Sequence, residues 1–293
     1  MQQINKCIIC REITTKEHKK ATWLLGLKEP FRVIRCEKCD LAWLNIGLSA
    51  DEYMDIYAGE RYFVASNEHP GKYSDIVMIR LKYFKRRIIK IKSLFEKNSK
   101  IKLLDIGTAT GEFVSLCREN KIDAIGLELS DWAVRKAKKR YGKYYYQGDL
   151  FNNNLPPLKF DVIHLNHVFE HFLNPISNLL RIYELLKKDG LLIIEVPFEF
   201  DNIIEKFKSF IGKQKPREYS LLSIHHPFFY TTKSISKLLS VYGFTISSLK
   251  FYPPSTGMDS KIIFGKLIKP ILLYLGARLF RNGNTIEIYA WKR

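Results

Sequence analysis

From residue 101 onward, short apolar runs alternate with amphipathic segments of helical periodicity. This alternation favours parallel strands, with helices packed on both faces of one sheet. Two last apolar runs, "FTISSLKFY" and "NTIEIYAW", complete a predicted α/β sheet that is doubly wound, Rossmann-like and seven-stranded. The other predicted strands are residues 101–106, 122–128, 144–147, 160–165 and 191–196. One predicted helix begins after residue 111, and three others cover residues 131–140, 176–188 and 233–243.

The stretch "LLDIGTATGEFV", residues 103–114, leads from the first of these strands into a turn. Asp105 ends the strand, Gly107 permits the turn, and Gly111 opens a helix whose N-terminal amides point into the crevice. The dinucleotide fingerprint G-x-G-x-x-G is absent, and so is the lysine of a phosphate-binding loop. The turn therefore predicts a nucleoside ligand without a pyrophosphate.

Two further acids follow the next two predicted strands. Glu128 ends the second strand in "GLELS", at the distance from the glycine turn where an acid meets ribose hydroxyls. Asp149 follows the third strand in "QGDL", where it could accept a hydrogen bond from an exocyclic amine. The glycine turn and both acids, each at a strand end, together predict a nucleoside site.

With these motifs the chain resembles the class I S-adenosylmethionine (SAM)-dependent methyltransferases over residues 101–293. The resemblance includes "FDVIHLNHVFEHFLNP" and "LLKKDGLLIIEVP" as well as the motifs above. It is strongest to a bacterial group with "EH…NP" after the fourth strand and a histidine before a late helix, here "HHPFFYTTKSISKLLSVYGF". Members of that group with a cysteine-paired N-terminal module resemble modifiers of sugars and cell-surface glycans.

The resemblance implies that SAM is the cofactor and that the strand ends hold it. Glu128 would hold the ribose, Leu129 would pack on the adenine, and Asp149 would accept from the adenine amine. Ala109 stands where the family more often has glycine, and its methyl group is small enough for binding to survive. The implied cofactor contacts are Asp105, Gly107 and Gly111 at the methionine end, with Glu128, Leu129, Asp149, Leu150 and Asn166.

Three histidines and one glutamate are candidate catalytic residues. An oxygen acceptor can need its proton removed, and His167, His171 with Glu170, or His226 could remove it. The alternative is that each is a structural histidine. "HVFEH" also fits the protease signature H-x-x-E-H, but it follows a buried strand where the methyltransferase resemblance already expects "EH".

Four of the five cysteines form two C-x-x-C pairs. Each pair can aim two thiolates at one ion, so both together predict a structural zinc site in a ribbon-like module, residues 1–45. A redox pair or coincidental spacing is the alternative. Metal would supply the folding energy that so short a module lacks. The predicted ligands are Cys7, Cys10, Cys36 and Cys39.

Residues 46–100 predict a helical linker or lid between this module and a methyltransferase domain at 101–293, with an insertion at 199–225 on the acceptor side. Tyr57 and Tyr62 could close over the cofactor or could be core residues.

The chain of 293 residues carries a formal net charge of +18, which favours anionic partners or a solvated lysine-rich surface. The first residues have no apolar leader segment, which predicts a cytoplasmic protein. Residues 262–280 mix apolar and basic side chains. They predict either a helix at the anionic inner face of a membrane or, with slightly more support, a helix packed on the sheet.

The sequence favours a methyltransferase for a small molecule or glycan. An RNA methyltransferase is an alternative supported by the charge, although the N-P-P-[FY] tetrapeptide of base-amine methylators is absent. A non-catalytic zinc-containing interaction protein is a second alternative. The sequence does not determine the acceptor, the atom methylated or the oligomeric state.

Overall fold

The computed structural model describes residues 6–13, 15–21, 31–45, 73–198, 226–252 and 285–293. Several predictions lie outside these residues: the insertion at 199–225, the basic and apolar segment at 262–280, and the closing role of Tyr57 and Tyr62. None of the helices in the described ranges is long and apolar enough to cross a membrane.

The described elements alternate as the sequence predicts. The strands are β1 (Thr15–Ala21), β2 (Phe31–Cys36), β3 (Ala42–Asn45), β4 (Lys102–Ile106), β5 (Asp123–Glu128), β6 (Tyr145–Gln147), β7 (Phe160–Asn166), β8 (Leu186–Pro197), β9 (Phe228–Phe229), β10 (Phe244–Tyr252) and β11 (Thr285–Lys292). The helices are α1 (Tyr73–Leu94), α2 (Glu112–Glu119), α3 (Asp131–Tyr141), α4 (Pro175–Leu185) and α5 (Thr232–Val241). A single 3₁₀ turn, Phe169–His171, follows β7.

A seven-stranded sheet in the order β10-β11-β8-β7-β4-β5-β6 forms the centre of the fold. Strands β4 to β8 pair in parallel, whereas β11 lies antiparallel to both of its neighbours, β8 and β10. The predicted α/β fold class is therefore confirmed, with one antiparallel strand inserted near an edge. From β4 the chain first adds β5 and β6 on one side and then β7 on the other. The carboxyl ends of β4 and β7 thus form the switch point at which such sheets bind ligands.

Local signals explain where several helices begin and end. α3 begins after Ser130, whose hydroxyl accepts a hydrogen bond from the Ala133 amide at 3.3 Å. α5 begins with a reciprocal capping box between Thr231 and Ser234. The helix predicted to reach residue 188 ends at residue 185, because the chain from Leu186 already pairs with Phe160 of β7. The neighbouring strand accordingly begins five residues before the predicted residue 191.

The N-terminal strands form a second sheet in the order β1-β2-β3-β9, and all three pairings are antiparallel. β9 comes from the chain just before α5, and it pairs Phe228 with Trp43 and Phe229 with Ala42. The Leu44 amide also donates to the Pro227 carbonyl at 3.0 Å. Trp43 is fully buried, in the same apolar cluster as residues of the central sheet. The small module is thus joined, through β3, to strand β9, which contacts the 3₁₀ turn.

Helix α1 lies within the region predicted as a linker, but it packs on the large domain. Ile88 and Ile91 are buried in one apolar cluster with Phe113 and Val114 of α2. The predicted domain limits at residues 45 and 100 stay a prediction.

Candidate cofactor and acceptor site

The turn after β4 folds tightly against two neighbouring elements. Gly107 has φ 70°, and its amide donates to the Leu127 carbonyl of β5 at 2.8 Å. A side chain at Gly107 would collide with Val168, which follows β7. Gly111 has φ 91°, and a Cβ there would lie 2.6 Å from the Tyr145 ring. Both positions need glycine for conformation and for close approach.

Helix α2 starts at Gly111 without a side-chain cap. Its first amides are therefore available to an anionic group such as an α-carboxylate. The Tyr145 hydroxyl donates to the Gly111 carbonyl at 2.9 Å and holds the turn from the β6 side. This cradle fits the predicted methionine end of the cofactor.

Glu128 lies at the end of β5 and ties together the two loops that border the crevice. Its Oε2 accepts from the Ala109 amide at 2.9 Å, and its Oε1 accepts from the Ser130 amide at 3.0 Å. A carboxylate has about four acceptor positions, so each oxygen can still accept a ribose hydroxyl. The side chain is 8% exposed, and burial raises the pKa of Glu128 despite the two amide hydrogen bonds.

The remaining adenine-side predictions lie near the ends of β5 and β6. Asp149 Oδ1 accepts from the amides of Phe151 and Asn152, at 2.6 and 2.7 Å, so one oxygen already stabilises its own loop. Oδ2 makes one long contact of 3.4 Å to the Asn152 amide group and is the oxygen available to an exocyclic amine. Leu150 is buried in the core, and Leu129 is half-buried.

The sequence analysis did not predict a buried hydrogen-bond network that lies next to the turn after β4, residues 107–111, here called the cofactor turn. Arg87 of α1 is 1% exposed, and its guanidinium contacts side chains from three strands of the sheet. Nη2 donates to Glu195 of β8, and to Glu287 of β11 at 2.6 Å. Nη1 contacts His164 Nε2 at 2.7 Å and donates to Asn166 Oδ1 at 3.0 Å. The network thereby holds the predicted cofactor residue Asn166.

The same network continues to Asp105, whose Oδ1 lies 2.6 Å from Nδ1 of His164. Burial lowers the pKa of His164 more than the charge of Asp105 raises it. The sequence held a signal for Arg87: one glutamate stands within each of two apolar strands, "LLIIEV" and "TIEIYAW". Two acids at buried positions of adjacent strands require a cation nearby.

The four candidate catalytic residues come together at the carboxyl end of β7 and the start of β9. His167 Nδ1 lies 3.4 Å from Glu170 Oε1, and its Nε2 lies 3.3 Å from Glu195 Oε1. Burial alone would lower the pKa of His167, but the nearby carboxylates of Glu170 and Glu195 outweigh burial and raise that pKa. The His171 and His226 rings meet edge to face, with centroids 4.7 Å apart.

Glu170 is the most buried member of this group, at 1% exposure. Burial would raise the pKa of Glu170, but the adjacent His167 ring and the charges of His171, His167 and His226 outweigh burial and lower that pKa. Because Val168 contacts the Gly107 turn, the group lies directly beside the predicted cofactor crevice.

The four paired cysteines also converge. Their sulfur atoms all lie within 4.8 Å of one another, including 3.2 Å between Cys7 and Cys39 and 3.4 Å between Cys10 and Cys36. The hydrogen bond between Cys7 and Cys39 lowers the pKa of Cys7 to about 5, while the pKa of Cys39 is raised. Four sulfur donors at this separation fit a tetrahedral zinc ion.

The model of the methyltransferase domain family matches residues 80–249 of this chain. The chain therefore belongs to that family, and it is a SAM-dependent methyltransferase. No curated protein sequence matches it.

Several solved structures share the fold at low sequence identity. Magnesium protoporphyrin IX methyltransferase from Synechocystis PCC 6803, with bound S-adenosylhomocysteine (SAH), is 14% identical, with a TM-score of 0.54 over 84% of this chain and 100% of that one. A chain of the Haloferax volcanii complex with the Trm112 methyltransferase activator is 14% identical, with a TM-score of 0.53 over 84% and 99%. A SAM-dependent methyltransferase from Thermotoga maritima is 20% identical, with a TM-score of 0.48 over 77% and 97%. The first two likenesses show the fold alone.

Proposed function

We propose that this methyltransferase transfers the methyl group of SAM to a hydroxyl oxygen of a glycan or another small polar molecule. The observation that carries the proposal is the group formed by His167, Glu170, His171 and His226 beside the cofactor turn. Imidazoles and a carboxylate are the side chains that bind a hydroxyl and accept its proton. A hydroxyl needs this help because it is a weak nucleophile while it keeps its proton.

When bound, SAM supplies a methyl group on a positively charged sulfur. The turn around Gly107 and the carboxylate of Glu128 would hold the cofactor at the ends of β4 and β5. Val168 lies against that turn and is adjacent to His167 in the chain, so acceptor and cofactor would meet beside this residue. Most of the rate enhancement in a displacement of this kind comes from such alignment.

The cysteine module is proposed to hold one structural zinc ion. Its strand β3 pairs with β9, which begins two residues after His226. A metal that stabilises β3 would therefore also stabilise the position of His226. This links the module to the acceptor side of the enzyme.

An RNA acceptor is the competing proposal, and the net charge of +18 favours it. The sequence at the end of β7 argues against RNA, because it reads Asn166-His167-Val168-Phe169 where base-amine methylators carry N-P-P-[FY]. In this proposal, side chains that could serve a hydroxyl stand in place of that tetrapeptide. The glycan proposal also draws on the resemblance of the cysteine-paired chain to sugar modifiers.

The test is an acceptor screen with the full chain, labelled SAM and three panels: nucleotide-activated sugars, lipid-linked sugars and bulk tRNA. We expect labelled methyl ether in a sugar panel and none in tRNA. Transfer to tRNA alone would overturn the proposal. RNA binding measured over a range of salt concentrations gives a second readout, because phosphate contacts produce a steep salt dependence.

A further inference from the structure

Two side chains of the 3₁₀ turn and one from the segment before β9 converge on a single point. One ligand atom from each of Glu170, His171 and His226 lies within 4.8 Å of the other two. The two imidazole planes are inclined by 67°. The group is separate from the four cysteines and uses different donor chemistry.

Glu170 is the second observation that points to a ligand. It is 1% exposed, and neither carboxylate oxygen makes a hydrogen bond to any residue in the described part of the chain. His167 Nδ1 and His171 Nε2 lie 3.4 and 3.9 Å from Oε1, close enough for attraction but too far for a good hydrogen bond. A buried carboxylate whose two oxygens accept no hydrogen bond has acceptor positions that a bound cation could fill.

We propose that Glu170, His171 and His226 bind a divalent transition-metal ion. Two imidazoles and one carboxylate are a ligand set for zinc, iron(II), manganese or cobalt, and three protein ligands leave coordination positions open. His167 would act as a positioning residue, because it lies between Glu170 and Glu195 and can orient the Glu170 carboxylate.

The role of this ion rests on the proposed function. The acceptor hydroxyl would bind at an open position, where the ion lowers the pKa of the hydroxyl and lets its proton leave to solvent. The oxygen then forms a bond to the methyl carbon while the carbon–sulfur bond breaks, and that electron pair stays on sulfur. The products are a methyl ether, SAH and one proton. His171 and His226 would thus be ligands rather than free bases.

Cobalt(II) distinguishes this site from the cysteine site. The full chain is stripped with chelator, loaded with cobalt(II), freed of excess metal and analysed for cobalt per chain and for its absorption spectrum. Thiolate ligands give intense ligand-to-metal bands in the near ultraviolet, whereas imidazole and carboxylate ligands give only weak visible bands. We expect the cobalt content of wild type to exceed, by one ion per chain, the amount of thiolate-bound cobalt that the near-ultraviolet bands indicate.

Glu170→Gln and His226→Asn should each lose that one cobalt and keep the thiolate bands unchanged. Glu184→Gln, which removes an exposed carboxylate on α4 paired with Arg181, should behave as wild type. Equal cobalt content in wild type and both site variants would overturn the proposal. Wild type by itself also tests the proposal. If it binds no cobalt beyond the thiolate-bound ion, the proposed site is wrong, even where a variant fails to fold.

SAH binding and methyl transfer are measured on the same samples. Transfer to a sugar that continues at full rate after complete removal of the second metal would overturn the catalytic role and leave the proposed function standing. Metal binding with transfer to tRNA alone would leave the site standing and contradict the proposed function.

Discussion

Arg87 Nη1 donates to His164 Nε2 over 2.7 Å, and this contact determines where the imidazole carries its proton. A guanidinium has only donors, so Nε2 must accept and Nδ1 must bear the hydrogen. Nδ1 then donates to Asp105 Oδ1 at 2.6 Å. A helix outside the sheet thereby orients the acid at the end of β4, directly before the cofactor turn.

Replacing Arg87 with methionine should lower the free energy of unfolding by about 3–5 kcal/mol, because Glu195 and Glu287 would lose the buried guanidinium that pairs with both. Chemical denaturation followed by circular dichroism measures the change. Arg135→Met is the control, since Arg135 pairs with Asp131 on the exposed surface of α3 and should contribute less than about 0.5 kcal/mol. Similar losses in both variants would contradict the structural role of Arg87.

The lowered pKa of His164 predicts a loss of stability in mild acid. The groups that face this ring are Asp105, Arg87 and Glu195, and the Phe113 ring lies 4.1 Å away. The unfolded chain takes up the proton near the ordinary pKa of about 6.5, and the folded chain takes it up only at lower pH. The free energy of unfolding should therefore fall as the pH drops below about 6.5.

Denaturation of wild type and His164→Gln between about pH 7.5 and about pH 5.5 checks this dependence. The difference in stability between the two proteins should shrink as the pH falls, because only wild type carries the histidine. A constant difference would mean that His164 titrates alike in both states.

The sequence predicted the central sheet well because its signals are local. Apolar runs such as residues 101–106 are bounded by turns, and helices such as α5 carry their own caps. The pairing of β9 with β3 was not predicted, because a two-residue strand carries no periodicity. Its partner is also far away in the sequence. Only the folded arrangement shows that Trp43 and Phe228 are neighbours.

The candidate site likewise contains residues predicted from local motifs and residues that only the fold brings together. Gly107, Gly111 and Glu128 were predicted from motifs with fixed spacing along one crossover. Arg87 was missed because four of its partners come from three other strands, at sequence separations of 77 to 200 residues. The convergence of His226 with Glu170 likewise depends on tertiary packing. The roles assigned to these residues stay predictions.

Ala109 occupies a left-handed conformation with φ 49°, so replacing it with glycine should stabilise the protein. An L-residue there costs about 1–2 kcal/mol. Glycine also stabilises the unfolded chain by about 0.4–1 kcal/mol, because it increases the conformational entropy of that state, and this offsets part of the gain. We expect the free energy of unfolding to rise by roughly 0.5–1 kcal/mol. Gly111→Ala should lower it instead, because the new methyl group meets the Tyr145 ring. Equal effects of the two changes would contradict the conformation of this turn.

Replacing Glu128 with glutamine should weaken SAH binding. The glutamine side chain has one acceptor oxygen and one NH₂ donor. Either the Ala109 or the Ser130 amide would therefore point at that NH₂ group and lose its hydrogen bond. The ribose would also lose an acceptor, and we expect a loss of about 1–3 kcal/mol in binding free energy. Isothermal calorimetry measures it, with Glu119→Gln on the end of α2 as the control. An unchanged dissociation constant would remove Glu128 from the cofactor site.

The proposed zinc ion in the cysteine module should protect the small sheet and, through it, β9. Cys10→Ser removes one of four ligands, and we expect metal analysis to show the loss of one zinc per chain relative to wild type. The paired amides of Ala42–Asn45 should then exchange with deuterium faster, and so should those of Phe228–Phe229, because β9 pairs only with β3 in the described sheet. The amides of β4 and β5 should exchange as in wild type, since these strands also pack into an apolar cluster that contains no described residue of the module. Faster exchange throughout the central sheet would mean that the module stabilises the whole protein, and unchanged zinc content would remove these cysteines as ligands.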